Sequence, residues 1–176
     1  MDKPNSIFGW SSVLHNYGWK GILSDSLLPI IISIVLCVLM YWKNVDIFMQ
    51  LKHLVGVGIS IVPAMVALIL TAYTIMLSFI VGDKFSSIKK TREGKKLIQD
   101  LNSSFAACLF ISTISIIAMI IVSGIANMGI PVKHSNFVNY FTYFSVCYLL
   151  VYSVSILIGI VIDIFNSGQT ALLDDR

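Results

Sequence analysis

The sequence predicts an all-α integral membrane protein, a four-helix bundle with an N-terminal interfacial helix. Two observations predict this fold class. The chain is 57% hydrophobic and 12% charged, whereas a soluble domain carries about 25% charged residues. Its apolar residues also fall in four long blocks without a charge, and a helix needs about 20 apolar residues to cross a bilayer. We therefore expect the four uncharged blocks to lie in a lipid bilayer.

The uncharged blocks set the expected boundaries. We expect spans at about residues 26–42, 54–82, 103–126 and 137–163, within a membrane domain of residues 26–166 that is followed by a cytoplasmic tail of residues 167–176. The first block is short, but Tyr41 and Trp42 at its end suit the headgroup region. No small-residue cleavage site follows it, so we expect a retained helix rather than a signal peptide.

Residues 1–25 are expected to form a cytoplasmic and interfacial segment. Within residues 5–18, Trp10, Val13, Leu14 and Tyr17 recur at spacings of three and four, which is typical of one face of a helix. Such a helix can lie along the membrane surface before the chain turns inward. A partly ordered tail is the alternative, because a helix this short is marginal on its own.

The distribution of Lys and Arg predicts the orientation. Residues 83–102, the basic loop, carry six of the twelve basic residues: Lys84, Lys89, Lys90, Arg92, Lys95 and Lys96. With four spans this loop shares its side with both termini, and the positive-inside rule places that side in the cytoplasm. We therefore predict a multi-pass protein of the inner (plasma) membrane. The six cations can bind anionic lipid headgroups or, alternatively, a cytoplasmic partner protein, a nucleotide signal or an oligonucleotide.

Small and weakly polar residues form a seam along the second span. They recur at spacings of 4, 3, 4, 3 and 4, and they are Ser60, Ala64, Ala67, Thr71, Thr74 and Ser78. Small residues let helix backbones approach closely in lipid, which favours a packing seam. In an oligomer the same hydroxyls can instead line a pore.

The third and fourth spans carry similar stripes. They comprise Ser104, Cys108, Ser112 and Ser115 in the third span, and Ser145, Tyr148, Tyr152, Ser155 and Gly159 in the fourth. One bundle can bury all the stripes inside itself, or an oligomer can expose one of them to a central channel. The sequence leaves both arrangements open.

Asp163 is the ionisable residue that we place closest to a membrane core. It lies near the expected cytoplasmic end of the fourth span, where a charge either anchors the helix end or takes part in gating. No HExxH or GxSxG motif occurs, so we do not expect an enzyme. Cys37, Cys108 and Cys147 are widely spaced, so we expect neither a metal site nor a cofactor.

A four-span chain of this size, with the seam of residues 67–78 and the basic stretch of residues 86–100, resembles the small membrane effectors of bacterial anti-phage defence operons. The Hailong transmembrane effector and the Kiwa membrane subunit are two examples. The resemblance implies a homo-tetramer, a cytoplasmic partner encoded alongside and, for Hailong, a channel held shut by a single-stranded DNA oligomer. The chain departs from that pattern because we expect no dedicated soluble ligand-binding domain in it.

The leading hypothesis is therefore an oligomeric, channel-like membrane effector that depolarises the cell when a cytoplasmic signal or partner changes. In it the second-span seam lines or approaches the pore, and the basic loop couples to the signal. Two alternatives stay open. One is a non-conducting scaffold that recruits a soluble partner through the basic loop, and the other is a holin-like phage protein.

Overall fold

Four long helices make up the part of the chain that the computed structural model describes, which is the backbone of residues 10–81, 91–128 and 136–174. Side chains are described for residues 23–78, 91–92, 94–128, 137–162 and 164–166. Helix α1 is Trp10–Trp42, α2 is Ile47–Val81, α3 is Arg92–Asn127 and α4 is Asn136–Asp174. These residues contain no strand, and the all-α prediction is confirmed.

Each helix contains a stretch that is long and apolar enough to cross a membrane: Leu23–Trp42, Ile47–Ser78, Gly94–Asn127 and Phe137–Asn166. The prediction of a multi-pass membrane protein with four spans is thereby confirmed. The helices extend beyond most of the predicted boundaries, because a charged residue does not end a helix. Lys52 lies inside α2, and the long apolar stem of a lysine lets its ammonium group reach the polar region of a membrane. Helix α2 also continues through Pro63.

The N-terminal segment differs from the prediction. Residues 10–18 belong to the same continuous helix as the first span, so no separate interfacial helix precedes a turn into the membrane. The remainder of the predicted interfacial helix, residues 5–9, lies outside the described residues. The physical reason is that residues 19–25 contain no proline that would break the helix, and the intrahelical hydrogen bonds continue through Asp25.

Helices α3 and α4 form the centre of the bundle. Each of them packs against the three other helices, whereas α1 and α2 pack mainly against this central pair. Two apolar clusters fill the contacts. One contains Leu51, Val55, Met119 and Val146 and lies towards the turn between α1 and α2. The other contains Ile69, Phe105, Tyr152 and Ile156 and lies towards the opposite end.

Gly58 marks the closest approach of α2 to the central pair. A Cβ atom at this position would overlap Met119 Sδ and would lie 3.1 Å from Leu150 Cδ2. Glycine therefore lets the α2 backbone reach α3 and α4 at the same point. The contact lies on the same face of α2 as the buried residues Val55 and Val62.

Candidate functional site

The second-span seam faces outward. All six of its residues are exposed in the protomer, whereas the buried residues of α2 include Leu51, Val55, Val62 and Ile69. At about 100° per residue, the seam points roughly 180° away from that buried face. Within the protomer the seam therefore lies outside the helix contacts, so of the two arrangements that the sequence left open, burial inside a single bundle does not apply to the second span.

The physical reason is a competition between two faces of one helix. The face opposite the seam presents larger apolar side chains and Gly58, and these pack into the contact with α3 and α4. Small side chains bury less area and gain fewer dispersion contacts. The bulky face therefore forms the core, and the seam is left on the outside.

The hydroxyl groups of the second-span seam donate hydrogen bonds to their own helix. Ser60 Oγ donates to the carbonyl of Gly56 over 3.1 Å, and Thr71 Oγ1 donates to that of Ala67 over 2.9 Å. Thr74 and Ser78 donate to the carbonyls of Leu70 and Ile75, over 2.8 and 2.7 Å. These bonds satisfy the donors in an apolar medium. The oxygen lone pairs are left facing outward as acceptors.

The stripes of α3 and α4 face inward instead. Cys108, Ser112, Ser115 and Tyr152 are buried, and Ser104, Ser145, Tyr148, Ser155 and Gly159 are half-buried. Each of the two arrangements that the sequence left open therefore applies to some of the helices. The bundle buries the third-span and fourth-span stripes, and it exposes the second-span seam.

A hydroxyl network joins the two central helices. Ser115 Oγ lies 3.1 Å from Ser153 Oγ, 2.8 Å from the carbonyl of Ile111 in its own helix and 3.2 Å from that of Leu149 in α4, and its single proton is shared among these acceptors. Ser153 donates to the carbonyl of Leu149 over 2.8 Å. Both serines are fully buried, so the centre of the protomer is filled by packed side chains at this level. Sequence reasoning did not include Ser153.

The described part of the basic loop forms the start of α3. Thr91 caps this helix, and its hydroxyl accepts a hydrogen bond from the backbone N–H of Gly94 over 3.0 Å. Arg92, Lys95 and Lys96 are exposed and follow one another at helical spacing, opposite the buried Gly94 and Leu101. Three of the six predicted cations therefore share an accessible face. Lys84, Lys89 and Lys90 lie outside the described residues.

The structure places one acidic residue inside a membrane span where the sequence did not predict one. Asp25 lies inside the first candidate span, Leu23–Trp42, and is half-buried beside Tyr152 of α4. The predicted first span began at residue 26 because Asp25 is charged. The continuous helix α1 shows that the span extends past Asp25. The side chain of Asp163 lies outside the described residues, although its backbone is part of α4.

The three cysteines are free, and Cys108 and Cys147 are buried. Cys147 lies beside Ser33 of α1, and Cys108 lies beside Ser112 one turn further along α3. Among the described residues, no three His, Cys, Asp or Glu side chains come together as metal ligands. The cysteines act as small residues in the helix contacts.

No protein-family profile, curated protein or solved structure matches the chain.

Proposed function

We propose that the protein is a homo-oligomeric, channel-like effector of the inner (plasma) membrane that permeabilises or depolarises the cell, in anti-phage defence, when a cytoplasmic signal or partner changes. A tetramer is the favoured assembly, both termini are cytoplasmic, and the protein is not an enzyme. Its partners are the lipid bilayer, copies of itself and a cytoplasmic protein, nucleotide or oligonucleotide.

The observation that carries this proposal is the outward position of the second-span seam. From Ser60 to Ser78 the seam rises about 27 Å, at 1.5 Å per residue, which is close to the hydrocarbon thickness of about 30 Å. Ala64 and Ala67 leave room for a neighbouring backbone to approach. A seam of this length on the outside of a bundle suits contacts between protomers, or a pore between them, along the whole membrane.

The bonding of the hydroxyls is compatible with a conducting role. Because each O–H of the second-span seam is already donated to the helix, the outward oxygens of Thr71, Thr74 and Ser78 act as acceptors only. In a central channel such oxygens can replace part of the hydration shell of a passing ion. The centre of a single protomer is packed, so the proposed pore lies between protomers.

The basic loop supplies the point of control. Arg92, Lys95 and Lys96 are exposed at the end of the bundle where α3 begins. An oligomer repeats these cations around its axis, which suits a polyanionic ligand or an acidic protein surface. The signal then acts at the cytoplasmic end of the same helices that surround the pore.

Ion flux through liposomes tests this function. Purified protein is reconstituted, and the release of an entrapped ion is followed with and without single-stranded oligonucleotides. Flux that an added oligonucleotide alters is the expected result. A protein that assembles correctly and releases no ion under any condition would contradict the channel.

A non-conducting scaffold is the second candidate. It is favoured by the hydrogen bonding of the second-span seam, because hydroxyls that are satisfied within their helix need no water and can pack against another protomer. The basic loop would then recruit a soluble partner. A silent oligomer that nevertheless binds a cytoplasmic protein through Lys95 and Lys96 distinguishes this function. Lysis on expression, with release of a muralytic enzyme, would indicate a holin-like protein instead.

A further inference from the structure

A cavity of about 430 Å³ lies where α1 ends and where α2 and α4 begin. Its lining includes three aromatic residues and three polar ones: Tyr41, Phe48, Tyr140, Asn44, Asp46 and Asn139. Sites for small ligands have volumes of about 300–1,000 Å³. The cavity is at the opposite end of the bundle from the basic loop, so the ligand proposed for that loop does not account for it.

Asp46 brings one available carboxylate oxygen to this cavity. Its Oδ1 atom accepts the backbone N–H groups of Phe48 and Met49, over 3.0 and 3.3 Å, and thereby caps α2. A carboxylate has a second oxygen with its own lone pairs, and in Asp46 this oxygen takes no part in the cap. The cap fixes the carboxylate in place, so its negative charge is preorganised for a cationic group.

Asn139 lines the same cavity from the first turn of α4, and only 2% of its surface is exposed. A side-chain amide carries two N–H donors and an oxygen that can accept two hydrogen bonds. The amide of Asn139 makes this part of the wall polar without selecting between donors and acceptors. The carboxylate of Asp46 makes the wall suitable for a ligand that donates N–H groups.

The aromatic lining of the cavity also favours a cationic ligand. The rings of Tyr41 and Tyr140 meet edge to face with centroids 6.2 Å apart, and ammonium groups bind well against such rings. The ring of Phe48 shows the same preference, because the ammonium of Lys52, a residue outside the cavity lining, lies 5.0 Å from its centroid. The cavity therefore combines a carboxylate with aromatic rings, and both attract a cation.

The position of the cavity indicates where a ligand with such a cationic group comes from. Tyr41, Trp42, Phe137 and Phe141 are exposed around this end of the bundle, as in the aromatic belts that mark the headgroup level of a membrane. A divalent cation is a poor occupant, because calcium takes about six to eight oxygen ligands and this cavity offers a single carboxylate.

We propose that this cavity binds the amine-bearing headgroup of a zwitterionic phospholipid. Asp46 binds its ammonium group, the rings of Tyr41 and Tyr140 lie against it, and the acyl chains lie along the exposed apolar surface of α1 and α4. The site is independent of the proposed channel activity.

Lipid binding to the purified full-length protein tests the proposal. Native mass spectrometry in a neutral detergent counts bound short-chain phosphatidylethanolamine and phosphatidylglycerol, which lacks the amine. We expect about tenfold tighter binding of the amine lipid, the size of one charge-assisted hydrogen bond. Asp46→Asn should abolish this preference, because asparagine retains the helix cap and loses the charge. Asp100→Asn, which changes an exposed acid near the start of α3 and away from the cavity, should leave the preference unchanged.

Equal binding of the two lipids by the unaltered protein would overturn the proposal, as would a preference that persists in Asp46→Asn. Free phosphoethanolamine is the further competitor. If it binds as tightly as the lipid, the assignment to a membrane lipid is wrong. Circular dichroism of Asp46→Asn shows whether the helices are retained, so loss of binding through unfolding is recognised.

Discussion

The hydroxyl oxygens of Ser115 and Ser153 lie 3.1 Å apart in the contact between α3 and α4. This pair lies in the interior of the protomer, where both residues are fully buried. Polar contacts between membrane helices are stabilising but modest, because the unfolded chain in a membrane also finds partners.

Replacing either serine by alanine should therefore lower the free energy of unfolding only slightly. A double-mutant cycle with Ser115→Ala and Ser153→Ala should give a coupling of about 0.6 kcal/mol, the average for such contacts. Unfolding by sodium dodecyl sulfate in mixed micelles measures it. A coupling of zero would mean that the two hydroxyls do not interact.

Gly58→Ala should be less stable than Gly124→Ala, because the added Cβ overlaps Met119 Sδ and lies 3.1 Å from Leu150 Cδ2, so that these side chains must shift. Overpacking costs about 1–3 kcal/mol, which is offset in part by the gain of about 1 kcal/mol when alanine replaces glycine in a helix. Gly124→Ala in α3 is the matched control: nothing lies within 4 Å of the place that its added Cβ would take, and alanine favours the helix. The same mixed-micelle unfolding separates them, and equal stabilities would contradict the close approach of α2.

Thr71→Leu or Ser78→Leu should change the assembly or its ion flux, because each fills the outward face of the second-span seam. If the seam lines a pore, flux should fall while the oligomer persists. If it packs between protomers, the oligomer itself should weaken. Thr113→Leu in α3 is the control, since Thr113 is also an exposed threonine that donates to its own helix, over 2.8 Å.

Chemical crosslinking and flux are measured on the same liposomes. Unchanged flux together with an unchanged oligomer in both seam variants would remove the second-span seam from the proposed function. An equal effect of Thr113→Leu would point to a general response of the lipid-facing surface.

Lys95→Gln combined with Lys96→Gln should weaken binding of a polyanionic signal, because both cations are exposed on one face of α3. For a single-stranded oligonucleotide, the slope of log affinity against log salt should fall by about 0.7 for each phosphate that the variant no longer neutralises. Adding Lys89→Gln and Lys90→Gln should weaken binding further. Fluorescence anisotropy at several salt concentrations checks this.

Lys43→Gln combined with Lys52→Gln is the matched control at the other end of the bundle, and it should leave oligonucleotide binding unchanged. Reporter fusions at the C-terminus monitor orientation. Should the Lys95 and Lys96 variant invert or mislocalise while binding is unaltered, the basic loop would serve membrane insertion only.

Sequence and structure agree best for features that depend only on the local composition of the chain. The four long apolar segments follow from sequence because a helix in lipid satisfies all its backbone groups internally, whatever its neighbours are. The helix ends are less predictable. Asp25 and Lys52 interrupt the apolar pattern without ending a helix, so the first and second spans begin earlier than their uncharged blocks.

By itself, the amino-acid sequence determined that this is a four-helix membrane protein with polar or small residues along three spans. Only the tertiary structure decided which way those residues face. Ser112 and Ser115 lie inside, while Thr71 and Ser78 lie outside. The physical reason is that a helix has two faces, and the one buried is the one whose shape fits its neighbours. In α2 the buried face places Gly58 against Met119 and Leu150, which come from two other helices.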